Sequence, residues 1–432
     1  MTEATGSHIE QAVDRSAVNR RLALSFCYFF ALLASYYVLR PVREEMGVQF
    51  GPHRMQWLFT GTFVSMLLLV PVYGAIVAKF RRRVFVPAVY LVFILCLLGF
   101  RSVFAIEPRP AWLAPSFFIW VSVFNLYAVS VFWSFMADVW DPADAKRWFG
   151  VIAAGGTAGG LFGPLLTASL VSQVGLAGLM LVAACLLILA LCCCLGLSAS
   201  ARQREQGVPL EVAPPIGGTI LAGVRLLRDR PELRPLALMM FLGVLMGSMI
   251  YFQQAKAVEA AFADSNERTT FFARIDFAVN FLTLVAQLFL TRLLLTKVRM
   301  GRVLMIPPLL ACVSLAVLAV APTVWVLSVV QIVTRAGRFA ITEPAFANLY
   351  TSVDREARYK TKGFIDTAVY RFGDLTSAWM VTALSNVGVV LGGFAVLGTV
   401  ISVALAKVGN IAGSGHEQRL AAQRAGETSP KP

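Results

Sequence analysis

The chain has 432 residues, 58% of them hydrophobic and 14% charged, with a mean hydropathy of +0.71; a soluble domain has about 45–50% apolar and about 25% charged residues, so a soluble globular protein is excluded and a polytopic membrane protein is indicated. The formal charge of +14 sits in short clusters between apolar runs rather than along one polar face, which excludes a nucleic-acid-binding surface. The seven cysteines lie inside apolar runs without CxxC spacing, and the three histidines (His8, His53, His416) fall outside those runs, so no redox or metal centre, cofactor or intramembrane hydrolase is expected.

Residues 1–21 are polar, and the apolar run from Leu22 reaches Arg40-Pro41 without a small-residue cleavage site, so it reads as an uncleaved first span rather than a signal peptide. Runs of the roughly 20 residues that a bilayer requires predict twelve spans, at 22–47, 57–79, 84–105, 112–138, 148–172, 176–197, 235–256, 271–296, 303–321, 323–347, 363–385 and 388–406. The polar stretch 198–234, with Arg202, Arg204, Glu205, Pro214 and Pro215, reads as a cytoplasmic linker between a first six-helix bundle (22–197) and a second (235–406), and 407–432 as a disordered tail. Of the 38 lysines and arginines, with those near span ends counted with the adjoining loop, 26 fall in the tails and the loops after even-numbered spans, 7 in the opposite loops and 5 within spans, which by the positive-inside rule puts both termini in the cytoplasm. The loops repeat weakly: Lys79 to Pro87 after span 2 is echoed by Lys297 to Pro307 after span 8, and Ala143 to Arg147 after span 4 by Glu356 to Lys360 after span 10. The chain therefore reads as an all-α polytopic membrane protein with twelve transmembrane helices in two pseudo-symmetric six-helix halves. Parallel repeats of this kind hold a transported solute between them near mid-depth.

Polar residues recur on single helical faces within several spans. At the end of span 1, Tyr36, Arg40, Arg43, Glu44 and Gly47 share one face, with Pro41 predicting a local kink; the alternative is a span that stops at Leu39, followed by an external loop of solvated charges. Span 4 carries Tyr127, Ser130, Ser134 and Asp138, the last near the cytoplasmic end and read as a gate or capping residue. Glycines 155, 159 and 163 of span 5, with 156 and 160, recur every four residues, a spacing that lets helices approach closely. Span 8 shows Asp276, Asn280, Thr283 and Gln287 on one face, and span 10 shows Gln331, Thr334, Arg335, Arg338 and Thr342. The two arginines have no acid on their own stripe and need counter-charge from elsewhere, either Glu343 or a neighbouring helix; their planar forks suit phosphate and carboxylate.

Span 11 is the most heavily charged. Lys362, Asp366, Tyr370 and Asp374 step along one face at i, i+4, joined by Thr367 and Arg371, while Phe364, Ile365, Ala368, Val369 and Phe372 occupy the other. Ionised groups facing lipid cost about 2.5 kcal/mol or more each, so the polar face is expected to line a watered cavity. Lys362 lies one turn before Asp366, which is expected to stay paired; Asp374 has Tyr370 and Arg371 but no lysine and is expected to be the acid that responds to protons or solute.

The segments Arg335 to Arg338, Glu343-Pro344, Ala347 to Tyr350, Tyr359 to Lys362, Phe364 to Asp366, Tyr370-Arg371 and Phe372 to Asp374, with Leu39 to Glu44 and Phe132 to Asp138, resemble the bacterial ATP/ADP translocase family of nucleotide exchangers. The resemblance covers nearly all twelve spans and implies a major facilitator-like fold that exchanges nucleotides without hydrolysing them. In it, Arg43-Glu44 stands where the exchangers carry a Lys-Asp pair, and Tyr359, Lys360, Lys362, Ile365, Asp366 and Arg371 match the span 11 pattern. The chain departs from that pattern in the neutral run Trp120 to Leu126 and in Asp374, where the exchangers carry an acidic and a basic residue respectively.

Together these features predict a secondary transporter of the bacterial inner membrane, not an enzyme, surrounded by lipid and moving a small, anionic, phosphorylated or nucleotide-like solute by alternating access. Arg40, Arg43, Glu44, Asp276, Asn280, Arg335 and Arg338 are the expected substrate-binding residues; Asp138, Lys362, Asp366, Tyr370, Arg371 and Asp374 are the expected coupling or gating residues. Two other readings remain open: a proton-coupled carrier of a neutral or cationic solute with structural arginines, and a membrane sensor or assembly subunit that has lost transport.

Overall fold

The computed structural model describes residues 2–79, 82–202, 225, 227–352 and 361–427. Among them, every expected span falls on a helix: α1 (Thr2–Phe50), α2 (Met55–Lys79), α3 (Arg82–Phe104), α4 (Leu113–Val139), α5 and α6 (142–174 and 176–202), α7 (Arg234–Ala261), α8 (265–297), α9 (Met300–Val320), α10 (324–349), α11 (361–386) and α12 (Leu391–Glu427). α5 and α6 run on with one break, at Gly175, whose φ of +64° is left-handed and suits a residue without Cβ. Nine stretches among the described residues are long and apolar enough to cross a membrane; one, 147–198, is long enough to do so twice, and α2 and α11 complete the twelve.

One alternative falls away and one expectation changes. α1 runs unbroken through Pro41 to Phe50, so span 1 does not stop at Leu39 and its charged face is helical. The tail expected to be disordered beyond 407 is helical through Glu427, and α12 is tied down as far as Arg419. The Met300 N–H, an unpaired donor at the start of α9, donates to Glu417 (2.7 Å), and Ser352 Oγ meets both His416 Nδ1 (2.9 Å) and Arg419 Nε (3.2 Å). A Cβ at Gly413 would stand 2.3 Å from Gly301 N, so the two helices pack backbone to backbone there. Residues 203–224 of the expected linker, and Tyr359 and Lys360 of the span 11 pattern, lie outside the described residues.

The chain divides into two compact units: residues 1–49, 64–213 and 264–277 form the first, and 50–63, 214–263 and 278–432 the second. In the first, α1 is the central helix, with Tyr28, Leu32, Leu39, Val42 and Met46 fully or almost fully buried. α5 lies against it along the glycine stripe: a Cβ at Gly155, Gly159 or Gly163 would come within 2.5, 2.4 and 2.7 Å of the carbonyl oxygens of Phe26, Phe30 and Ala34. The second unit has a core in which Leu304, Ala311 and Leu315 of α9 meet Leu327 and Val330 of α10, Leu245 and Ile250 of α7, and Leu405 of α12.

Candidate functional site

In the first unit the α1 face closes into a buried charge cluster. Arg40 Nη1 donates to Asp276 Oδ1 of α8, and Glu44 Oε1 lies 3.8 Å from Arg40 Nε and 3.2 Å from Arg43 Nη2. Arg43 also reaches Ser122 Oγ (3.5 Å) and stacks 4.6 Å above the Phe118 ring of α4. Four of the expected residues, Arg40, Arg43, Glu44 and Asp276, are thus brought together, two charges of each sign. Asn280, one turn beyond Asp276, belongs to the second unit. Asp138 is exposed next to the last residue of α4; it lies 16 residues, about 24 Å of helix, beyond Ser122 and is not part of this cluster.

Glu45 was missed by the sequence reasoning. Its side chain is fully buried and accepts from Arg268 Nε (2.7 Å), Arg268 Nη2 (3.0 Å) and Ser265 Oγ (2.7 Å). The available signal was the start of α8: Asp264 Oδ2 accepts from the backbone N–H groups of Asn266 (2.8 Å) and Glu267 (3.0 Å), an N-cap that begins the helix at Ser265 rather than at 271 and brings Arg268 into it.

In the second unit a cavity of about 340 Å³ takes up the polar faces of α10 and α11. Gln331, Thr334, Arg335, Arg338 and Thr342, the whole expected stripe, line it, facing Lys362, Asp366 and Tyr370. Its remaining wall is apolar, formed by Met239, Met240, Phe346, Leu405 and neighbouring residues. Lys362 Nζ lies 2.5 Å from Asp366 Oδ2, the expected i, i+4 pair. Arg338 stacks 5.4 Å from the Tyr370 ring centre and pairs through Nε with Glu343 Oε1 at 3.3 Å.

That last pair supplies the missing counter-charge for Arg338, and local backbone geometry explains it. Five residues along an α-helix is about 140° off the starting face, but residues Arg338–Thr342 form a π-helical turn, whose wider i→i+5 winding swings Glu343 back toward Arg338. The sequence cause is Pro344, which has no N–H to offer the Ala340 carbonyl four residues earlier. Thr291 Oγ1 donates to that carbonyl instead (2.7 Å), and Gln287 Nε2 donates to Phe339 O (3.4 Å). Both donors sit on a second π turn, Gln287–Thr291 of α8, so Gln287 serves the backbone of α10 rather than extending the polar stripe of Asp276 and Asn280.

Asp374 has the expected Arg371 beside it and a second partner from α7 that the sequence did not show. Ser248 Oγ donates to its Oδ1 (2.8 Å) and Arg371 Nη1 to its Oδ2 (3.3 Å), so both oxygens are engaged and the residue is not the unpaired acid of the helix. The Arg371–Asp374 pair lies outside the residues that line the cavity, one turn beyond Tyr370.

Comparison with known proteins agrees with this architecture. The chain is similar in fold to PepTSo, a POT family transporter (TM-score 0.65, 13% identity, covering 92% of this chain and 98% of that one). It is also similar to the nucleoside transporter NupG (0.63, 13%, 92% and 98%) and to a bacterial homologue of the human lysosomal transporter Spinster in an inward-facing, unoccupied state (0.61, 15%, 93% and 98%). No curated protein sequence matches the chain. The sequence model of the Major Facilitator Superfamily matches residues 24–378. Twelve helices of membrane length among the described residues and a family match over most of the chain lead to one conclusion: this protein belongs to the Major Facilitator Superfamily.

Proposed function

We propose that this secondary transporter works in the bacterial inner membrane, with both termini cytoplasmic, and carries an anionic, phosphorylated or nucleotide-like solute by alternating access of the halves 22–197 and 235–406. The observation that carries the reading is the charge of the second unit's cavity: among the described residues, Arg335, Arg338 and Lys362 line it against Glu343 and Asp366. Guanidinium groups bind phosphate and carboxylate oxygens through parallel N–H bonds, and the Met and Phe wall offers an apolar solute body a place to pack. A volume of about 340 Å³ falls at the lower end of the roughly 300–1,000 Å³ of small-molecule sites. The resemblance of the span 10 and 11 motifs to nucleotide exchangers supports a nucleotide-like solute within this class.

A second reading, a proton-coupled carrier of a neutral or cationic solute, draws on Asp366, whose carboxylate is 36% exposed and lines the same cavity. Counterflow in proteoliposomes separates the two. Labelled ADP, ATP, phosphate and sugar phosphates are compared with nucleosides and amines, with and without a pH gradient. Exchange of an anion without a pH gradient supports the proposal; uptake confined to neutral or cationic solutes and driven by protons overturns it.

A further inference from the structure

We infer that Glu343 occupies the place on Arg338 that the anionic group of the solute takes when it binds, so that the two compete for one guanidinium. The inference rests on the anion-binding reading of the cavity and adds a residue that sets its affinity.

The two ion pairs that line the cavity differ in kind. Lys362 and Asp366 approach to 2.5 Å at i, i+4, with Asp366 on the π turn Ile365–Val369 of α11 and Lys362 on the α-helical turn before it. Arg338 and Glu343 are held at 3.3 Å by a single contact through Nε, beyond the about 2.7–2.9 Å of a strong charge-assisted bond. Their side chains are 32% and 52% exposed, and both line the cavity, so an incoming oxyanion can reach the guanidinium at the point where the carboxylate now sits. A phosphoryl or carboxylate group that accepts two parallel N–H bonds makes a stronger contact than the single one it displaces.

The pairing also depends on a dedicated backbone feature. A regular helix would point Glu343 away from Arg338; the π turn ahead of Pro344, its carbonyls taken by Thr291 and Gln287, turns it back. Glu343 thereby imitates the ligand. While it holds Arg338 the site is not competent, and the apparent affinity falls in proportion to the competent fraction. Its return to Arg338 helps to expel the solute.

A purely structural role for Glu343, as the counter-charge that lets Arg338 sit among apolar groups, predicts the opposite outcome, since removing the carboxylate then weakens the site. The test is calorimetric titration of the purified full chain in nanodiscs with ADP and with inorganic phosphate, adenosine serving as the neutral probe, for wild type, Glu343→Gln, Arg338→Gln and the double variant. Competition predicts that Glu343→Gln binds both anions about fivefold more tightly, the upper end for a partly exposed ion pair, with adenosine unchanged and the gain absent when Arg338 is also replaced. Equal or weaker anion binding by Glu343→Gln, with wild-type binding intact, overturns the inference and leaves the proposed function standing. No binding of either anion by wild type or variant overturns both. If Glu343→Gln does not fold, Glu343→Asp takes its place: it keeps the charge, withdraws it by one methylene and is expected to tighten binding in the same direction, and the absence of that change counts against the inference.

Discussion

Replacing Arg268 by Met removes both guanidinium bonds to Glu45, at 2.7 and 3.0 Å, and leaves its carboxylate fully buried with the Ser265 hydroxyl as its remaining hydrogen-bond donor among the described residues. Removing one partner of a buried ion pair costs about 3–5 kcal/mol, because the remaining charge keeps its desolvation penalty without its partner. Replacing the pair with apolar groups of similar size is close to neutral. Arg268→Met is therefore expected to destabilise the first unit by about 3–5 kcal/mol, and Glu45→Met/Arg268→Met to recover most of that loss. The coupling energy of the double-mutant cycle, measured by denaturant titration in mixed micelles, gives the number. A loss below about 1 kcal/mol for the single variant, or a double variant no more stable than Arg268→Met, refutes the claim that Glu45 is a buried ion held by α8.

Gly159→Leu places a Cβ 2.4 Å from the Phe30 carbonyl, against backbone that cannot yield, and is expected to prevent folded protein from accumulating; a wild-type yield of monodisperse protein counts against the packing of α5 on α1. Pro344→Ala restores the donor for the Ala340 carbonyl and relaxes the π turn toward α-helix, which is expected to alter anion affinity as Glu343→Gln does; hydrogen exchange at 338–344 reads the change in the backbone directly. Asp366→Asn is expected to lower transport at every pH by unpairing Lys362, whereas Asp374→Asn, which loses contacts to Arg371 and Ser248, is expected to act through stability and to leave the pH profile unmoved. A reporter fused after Leu420 is expected to be active only in the cytoplasm; activity confined to the periplasm inverts the topology.

Much of this architecture could be read from hydropathy because a bilayer admits few alternatives: apolar runs of about 20 residues must be helices that satisfy their own backbone groups. The polar stripe of span 10 and the Lys362–Asp366 pair followed from helical spacing for the same reason, and the structure puts both on one cavity. Spacing failed where the helix is not regular. Glu343 was one of two expected sources of counter-charge for Arg338, but it lies off the Arg338 face in an α-helical projection, and spacing could not choose it without the π turn ahead of Pro344, whose freed carbonyls meet Thr291 and Gln287 more than forty residues away. Partners supplied by other helices were equally hidden: Asp374 has no lysine within a turn of it on α11 but meets Ser248 of α7, and Glu45 looked like one more charge at a span end until the N-cap at Asp264 is counted. In the tail, the wheel of α12 could not show that Glu417 caps α9.

The central claim, that the second unit's cavity takes an anion on Arg338, is tested most directly by the transport KM of Arg338→Gln and Arg338→Lys beside wild type, with amounts of protein matched in proteoliposomes and labelled ADP or the anion that counterflow identifies. Loss of a hydrogen bond to a charged group is worth about 1.5–3 kcal/mol, so the account predicts that Arg338→Gln raises KM by roughly 10- to 100-fold, with Arg338→Lys intermediate because it keeps the charge and loses the fork. A wild-type KM in Arg338→Gln would contradict it.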